Sequence, residues 1–206
     1  YTDNVMILVA HQILAVTASL AMAMGLGTRI AIPLVLWLTL MVCHRMTGAL
    51  FGLDQVVVML AMYLMLSRCG SVWSVDAWLR ERRGESWWHP AATATISNNL
   101  ATRLLQLHLC VIYLFGGLSK LRGEMWWDGS ALWYAVVNFE YQSLDLTWLG
   151  HMRLIVAALT TTTVIWETFY CALIWPRLTR PLVLTMAVFV HGGIAVGLGM
   201  ITFGFI

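Results

Sequence analysis

Charge is scarce in this chain. Lys, Arg, Asp and Glu make up 11% of its 206 residues, while 60% are hydrophobic. A water-soluble domain carries about 25% charged and at most about half apolar residues. A fold of this size also leaves much of its surface exposed, so the apolar surplus has to face lipid. The formal net charge of +2 is too small to recruit nucleic acid, and what matters is where the basic residues fall. Cysteine motifs are missing as well. Cys43, Cys69, Cys110 and Cys171 form no CxxC and no Cys/His cluster, which argues against a zinc site or a thioredoxin-type motif, and no metal is expected. Three of the four lie in apolar stretches and read as small buried hydrophobes. The chain opens Tyr1-Thr2-Asp3, with no initiator methionine and no basic n-region, so no signal peptide is visible there. Nor is there an internal repeat of the kind that builds paired transporter halves.

What the sequence does contain is apolar runs near the length of a hydrocarbon core, roughly 20 residues. They predict spans at about Val5 to Met24, Ile30 to Met46, Leu53 to Leu66, Asn99 to Leu118, Leu154 to Trp175 and Pro181 to Ile206. Pro33 falls in the first turn of the second, where its missing N–H costs little. The expected fold is an all-α, polytopic integral membrane bundle of about six transmembrane helices, in one domain over residues 1–206. Two further stretches are not simple loops. Val72 to Arg83 (VWSVDAWLRERR) has apolar residues near helical spacing and arginines crowded at one end, which predicts an interfacial helix with tryptophans at headgroup depth. Met125 to Trp148 carries Trp126, Trp127, Trp133 and Trp148 but is broken at Asp128-Gly129, and reads as a re-entrant or interface-lying helix.

Basic residues bias orientation. With the Gly27–Arg29 turn cytoplasmic, alternating crossings put Arg68, Arg80, Arg82, Arg83, Arg103, Arg177 and Arg180 on the same side. Arg45, Lys120, Arg122 and Arg153 fall opposite. The expectation is a bacterial inner-membrane protein with Lys120 and the tryptophan-rich segment toward the periplasm.

The fourth span holds the most chemistry. Arg103, Gln106, Cys110, Tyr113, Gly117 and Lys120 recur at steps of three and four, forming one helical stripe. Ionisable groups in a bilayer are costly and usually turn toward protein or a cavity. Lys120 ends the span, so it reads either as a snorkelling anchor or as an inward-facing amine. Burial favours the neutral form of an amine, and a neutral amine is a usable base. Glu167, in the middle of the fifth span, needs a partner or a proton, and Arg103 and His191 are the partners expected first. Asp54 reads as a helix N-terminal residue. His11 and His108 read as packing histidines, not haem ligands. Thr160 to Thr163 can bond back to their own helix carbonyls. Gly192 and Gly193 permit either a close helix approach or a ligand beside His191.

The run from Arg103 to Tyr134 contains Gly117-Leu118-Ser119-Lys120-Leu121, a short spacer, then Trp126-Trp127-Asp128-Gly129. It resembles the G-x-x-K-L…W-x-x-G signature of the horizontally transferred transmembrane domain family, to which the vitamin K-dependent γ-carboxylases belong. Ser74-Val75-Asp76, the Gly-Leu-Gly-Thr-Arg turn and Phe189-Val190-His191 are similar to further family elements in the same order, so the resemblance covers almost the whole chain. Against that pattern the chain is expected to begin at the family's second span and to lack its extramembrane carboxyl-terminal region, which binds protein substrate. The family's Asn-Asn-His element has no counterpart, although Cys43-His44-Arg45 and Asp54 lie nearby. The resemblance implies Lys120 as the base acting on a quinone-like cofactor (vitamin K hydroquinone), His191 lining the cavity, and Gln106, Tyr113, Trp126, Trp127 and Glu167 around the cofactor. Short members of the family imply the other reading, a non-catalytic membrane subunit or an accessory in the maturation of a secreted sporulation-delaying peptide. Such a protein would have a membrane-protein or peptide partner as well as the lipid bilayer.

Overall fold

The computed structural model describes residues 4–83 and 95–205. Tyr1-Thr2-Asp3 and Ile206, the last residue of the sixth expected span, lie outside the described residues. Among the described residues every regular element is helical and there is no strand. Five helices are long and apolar enough to cross a membrane: α1 (Val5–Met24), α2 (Thr28–Arg45), α5 (Ile96–Lys120), α8 (Arg153–Leu173) and α9 (Arg180–Gly197). Large apolar side chains remain exposed along them, for example Val5, Met6 and Ile13 on α1 and Val188 and Phe189 on α9. That outward hydrocarbon is the surface of an integral membrane protein in contact with the bilayer.

The third expected span is α3 (Gly52–Leu66), apolar but only 15 residues long. At about 1.5 Å per residue it reaches about 22 Å, short of the roughly 30 Å hydrocarbon thickness. The sixth stops early. Helix α9 ends at Gly197, Gly199 takes a left-handed φ of 68°, and a short α10 (Ile201–Phe205) folds back on α9. The reversal needs glycine twice, because a Cβ on Gly204 would press on the His191 carbonyl at 2.6 Å.

The chain divides into two compact units, Tyr1–Leu105 and Gln106–Ile206. In the first, α1, α2 and α3 pack in sequence, with Ala18, Val35 and Leu38 as the buried contact between α1 and α2. Helix α1 ends at Gly25 (φ 68°), whose N–H donates to the Met22 carbonyl while Leu26 N–H donates to Ala21. This left-handed ending satisfies carbonyls the helix leaves open. Because α2 starts at Thr28, Pro33 lies in its second turn and not in its first. Its missing N–H withdraws the donor that the Arg29 carbonyl would otherwise receive.

The expected interfacial helix is α4 (Val75–Arg83). Ser74 caps it, accepting from the Ala77 N–H at 3.0 Å. Trp78 is half exposed with the Arg82 guanidinium 4.3 Å from its ring centroid, and Trp73 is fully exposed. Asp76 turns the other way and is 1% exposed. Its carboxylate accepts from the Gly27 N–H at 2.8 Å and from the Thr28 N–H and hydroxyl at 2.9 Å each. A carboxylate 48 residues downstream therefore caps α2. The approach is close enough that a side chain on Gly25 would collide with Ser74. Beside this junction lies a cleft of about 220 Å³, between the start of α2 and the end of α3.

In the second unit the tryptophan-rich segment forms two short helices instead of one, α6 (Glu124–Trp127) and α7 (Ala131–Val136), separated at Gly129 (φ 78°). Both lie on α8. Thr160 of α8 accepts the Leu132 N–H at 3.2 Å, so its hydroxyl joins two helices. Thr163 bonds back to the Leu159 carbonyl as expected. The loop before α8 fastens onto the end of α9, with the Ser143 hydroxyl donating to the Val196 carbonyl at 2.6 Å.

Candidate functional site

Each site residue is set by where its helix turns inward. On α5 the predicted stripe divides. Cys110 and Gly117 are buried and Tyr113 and Lys120 half-buried, whereas Arg103 and Gln106 are exposed. Only the second half of the stripe is withdrawn from the surface. The crossing is set by Gly117, where a Cβ would press on the backbone nitrogen of Thr168 at 2.7 Å. A small residue here lets the α5 and α8 backbones approach, as small residues do in membrane helix pairs. At Gly116 a Cβ would lie 3.4 Å from a Glu167 carboxylate oxygen.

That approach brings Glu167 to Lys120. The Lys120 Nζ donates to Glu167 Oε2 at 2.6 Å, with side chains 26% and 13% exposed. Lys120 is thus neither splayed into water nor wholly buried, and Glu167 is paired with a residue outside the two partners expected for it. Trp126 folds back over Gly123, and the ammonium sits 5.3 Å from its ring centroid, a cation–π distance. Trp127 does not join the group. It is exposed, and its indole N–H donates to the Leu121 carbonyl at 2.7 Å.

Two turns back along α5, Tyr113 meets α9. Its hydroxyl and His191 Nε2 are 2.8 Å apart, the donor being set by the imidazole tautomer. Trp166 and Tyr170 of α8 flank Tyr113 with ring centroids 5.0 and 4.2 Å away. Phe203 of α10 lies 5.8 Å from the His191 ring. The other imidazole nitrogen, Nδ1, is buried beside the Phe203 backbone without a well-formed hydrogen bond. Trp166 is itself oriented by its N–H, which donates to the Val183 carbonyl at 3.0 Å. Glu167 follows Trp166 on α8, and Trp166 packs on Tyr113, so the ion pair and the phenol–imidazole pair lie along one α5–α8 seam.

Of the seven sequence-predicted residues, Lys120, Glu167, Tyr113, His191 and Trp126 come together; Gln106 and Trp127 are exposed. Gly192 and Gly193 make no close helix contact. A Cβ on either would meet nothing within 4 Å among the described residues, and the close approaches fall at Gly117 and Gly204 instead. Sequence reasoning missed Trp166 and Tyr170, which line the same seam. Their signal was the spacing of Trp166 and Tyr170 by one helical turn around Glu167. Asp76, although named with Ser74 and Val75 as similar to a family element, was not expected to cap α2. Among the described residues no group of three His, Cys, Asp or Glu side chains is arranged to hold a metal. No family model, curated protein or solved structure matches this chain.

Proposed function

We propose that the chain is a membrane-embedded acid–base enzyme of the vitamin K-dependent carboxylase-like class, acting on a quinol-like or lipid-like molecule with Lys120 as base. The observation carrying this reading is the 2.6 Å contact between Lys120 Nζ and Glu167 Oε2 at the end of a membrane helix. When a ligand displaces water from such a pair, low polarity favours the two neutral forms over the two charged ones. The proton then rests on Glu167, and the Lys120 amine is free to accept a proton from a ligand hydroxyl. The Tyr113–His191 pair offers a donor and an acceptor to a second oxygen. Tyr113, Trp166, Tyr170 and Trp126 offer aromatic faces to a flat ring. A dihydroxy aromatic ring fits that donor set, and the chemistry it would supply when bound is reducing power. This reading includes a bacterial inner-membrane location with Lys120 toward the periplasm, so that the hydrophobic ligand arrives through lipid and its co-substrate from water.

Consumption of a vitamin K-type hydroquinone by the purified protein in nanodiscs tests it. Lys120→Ala should lower turnover by about 100-fold or more, the scale of a lost general base, while the protein inserts and remains monodisperse. Equal turnover in that variant would remove the amine from the base role.

A second reading rests on the same pair being closed. Both charges are satisfied, so the pair could serve only as a strut between α5 and α8 in a non-catalytic subunit that works with a membrane-protein or secreted-peptide partner. In that case the Lys120→Met/Glu167→Met double variant should keep any co-purifying polypeptide, because an apolar pair fills a similar volume.

A further inference from the structure

We infer that the cleft at the Arg29–Arg68 end of the first unit binds the phosphate-bearing headgroup of an anionic membrane lipid. This inference rests on the chain being a membrane protein and not on the catalytic reading of Lys120.

The cleft of about 220 Å³ has a split character. Ile32 and Pro33 of α2 and Leu64 and Met65 of α3 give it apolar walls, and Arg29 and Arg68 stand at it as the cations. Neither guanidinium has a hydrogen bond or ion pair to any described residue, although both residues are exposed. The hydroxyls that line the cleft are already committed. Thr28 donates to Asp76, Ser67 donates to the Leu64 carbonyl, and Ser97 donates to the Leu66 carbonyl. Asp76, whose carboxylate takes three donors of the α2 start, is buried and does not line the cleft. What remains available is a pair of forked cations above hydrocarbon. That combination matches a lipid phosphate whose acyl chains continue into the bilayer, and basic pockets between membrane helices take such headgroups.

Three further features agree. Arg68 is held in place from the backbone, its N–H donating to Asn98 Oδ1 at 2.7 Å. The cleft also sits where α2 begins and α3 ends, which is the level at which a helix hairpin leaves the hydrocarbon. Helix α4 is fastened to that same end through Asp76, and carries the half-exposed Trp78 with Arg82 against it and the fully exposed Trp73. Tryptophan and arginine at one level are the mark of the headgroup region. A phosphate here would therefore be a lipid phosphate, anchored by its own chains, and not a soluble anion.

Retention of phosphatidylglycerol against phosphatidylcholine, read by native mass spectrometry of protein released from mixed nanodiscs, tests the site. The wild type should retain phosphatidylglycerol preferentially. Arg29→Gln and Arg68→Gln should each lower that preference by about fivefold, and the double variant should abolish it. Arg82→Gln/Arg83→Gln should leave it unchanged. Arg29, Arg68 and Arg82 are exposed, so the variants should fold, which size-exclusion profiles would check. Equal retention of the two lipids by the wild type, or a preference that follows Arg82 and Arg83, would overturn the proposal. So would displacement of the retained lipid by millimolar inorganic phosphate, since that result would make the cleft a site for a free anion.

Discussion

An ammonium and a carboxylate that meet on helices walled by hydrocarbon share one fate. Removing the charge of either leaves the other partly desolvated and unpaired. Glu167→Gln should therefore destabilise the protein by about 2 kcal/mol, less than for a fully buried pair because Lys120 keeps some contact with water. Thermal unfolding in detergent would show it, and the Lys120→Met/Glu167→Met double variant should recover most of the loss. The spacing of the α5 stripe put Lys120 and Tyr113 on one helix face, but left Lys120 open between a snorkelling anchor and an inward-facing amine. It did not reveal the partner of Glu167, because periodicity orders residues along one helix and says nothing about which neighbouring helix faces it. Asp145 offers a separate check in the loop before α8. The Thr147 hydroxyl, at 2.6 Å, and then its N–H hold the Asp145 carboxyl below the usual carboxylate range. A depressed folded value stabilises the fold fully above the ordinary carboxylate pKa, and the contribution drains away as pH falls through the folded value. Thr147→Val should move the Asp145 titration back up toward the ordinary range, which a carboxyl-carbon NMR titration would detect. An unchanged midpoint would mean that the hydroxyl does not hold the charge.

Helices were the most readable level of this molecule. Hydrocarbon-length runs located α1, α2, α5 and α8 and the start of α9 within a few residues, because a bilayer demands long apolar stretches with their backbone bonds satisfied internally. The break at Asp128-Gly129 was legible from its residues, but the one at Gly199 escaped that logic. Gly199 turns the chain through a left-handed residue inside an otherwise apolar stretch, and hydropathy does not register a change of direction. The α2–α4 junction escaped too. The Gly25–Arg29 turn and Ser74–Asp76 look unrelated in the sequence, yet the Asp76 carboxylate closes the start of α2. Asp76→Ala would strip that cap and leave buried donors unsatisfied, so a cost of about 3 kcal/mol is expected. Protease sensitivity around Arg80–Arg83 should rise with it, and if proteolysis is unaltered α4 is held by other contacts. At the α5–α8 crossing, Gly117→Val places a branched side chain against Thr168. The expected cost is about 1–3 kcal/mol, with lower turnover in the hydroquinone assay if the proposed base depends on that crossing.

At the scale of the whole chain, the orientation proposed above can be read directly. In a background without other cysteines, Cys69 and an introduced Arg122→Cys should react with a membrane-impermeant maleimide from opposite sides. Arg122→Cys should label in intact spheroplasts, and Cys69 only after permeabilisation; the same pattern at both positions would overturn the proposed topology. The stop at Gly197 has a further consequence. A helix that ends within an apolar region leaves carbonyl oxygens that must find donors, and here Ser143 supplies one from a loop more than fifty residues earlier. That hydroxyl works as a seal. Without it, the Val196 oxygen would have to draw in a water molecule, and a hydrated notch beside the α9–α10 bend would turn a dry end into a leak for deuterium. The Leu198 amide would then be the first to report the wetting.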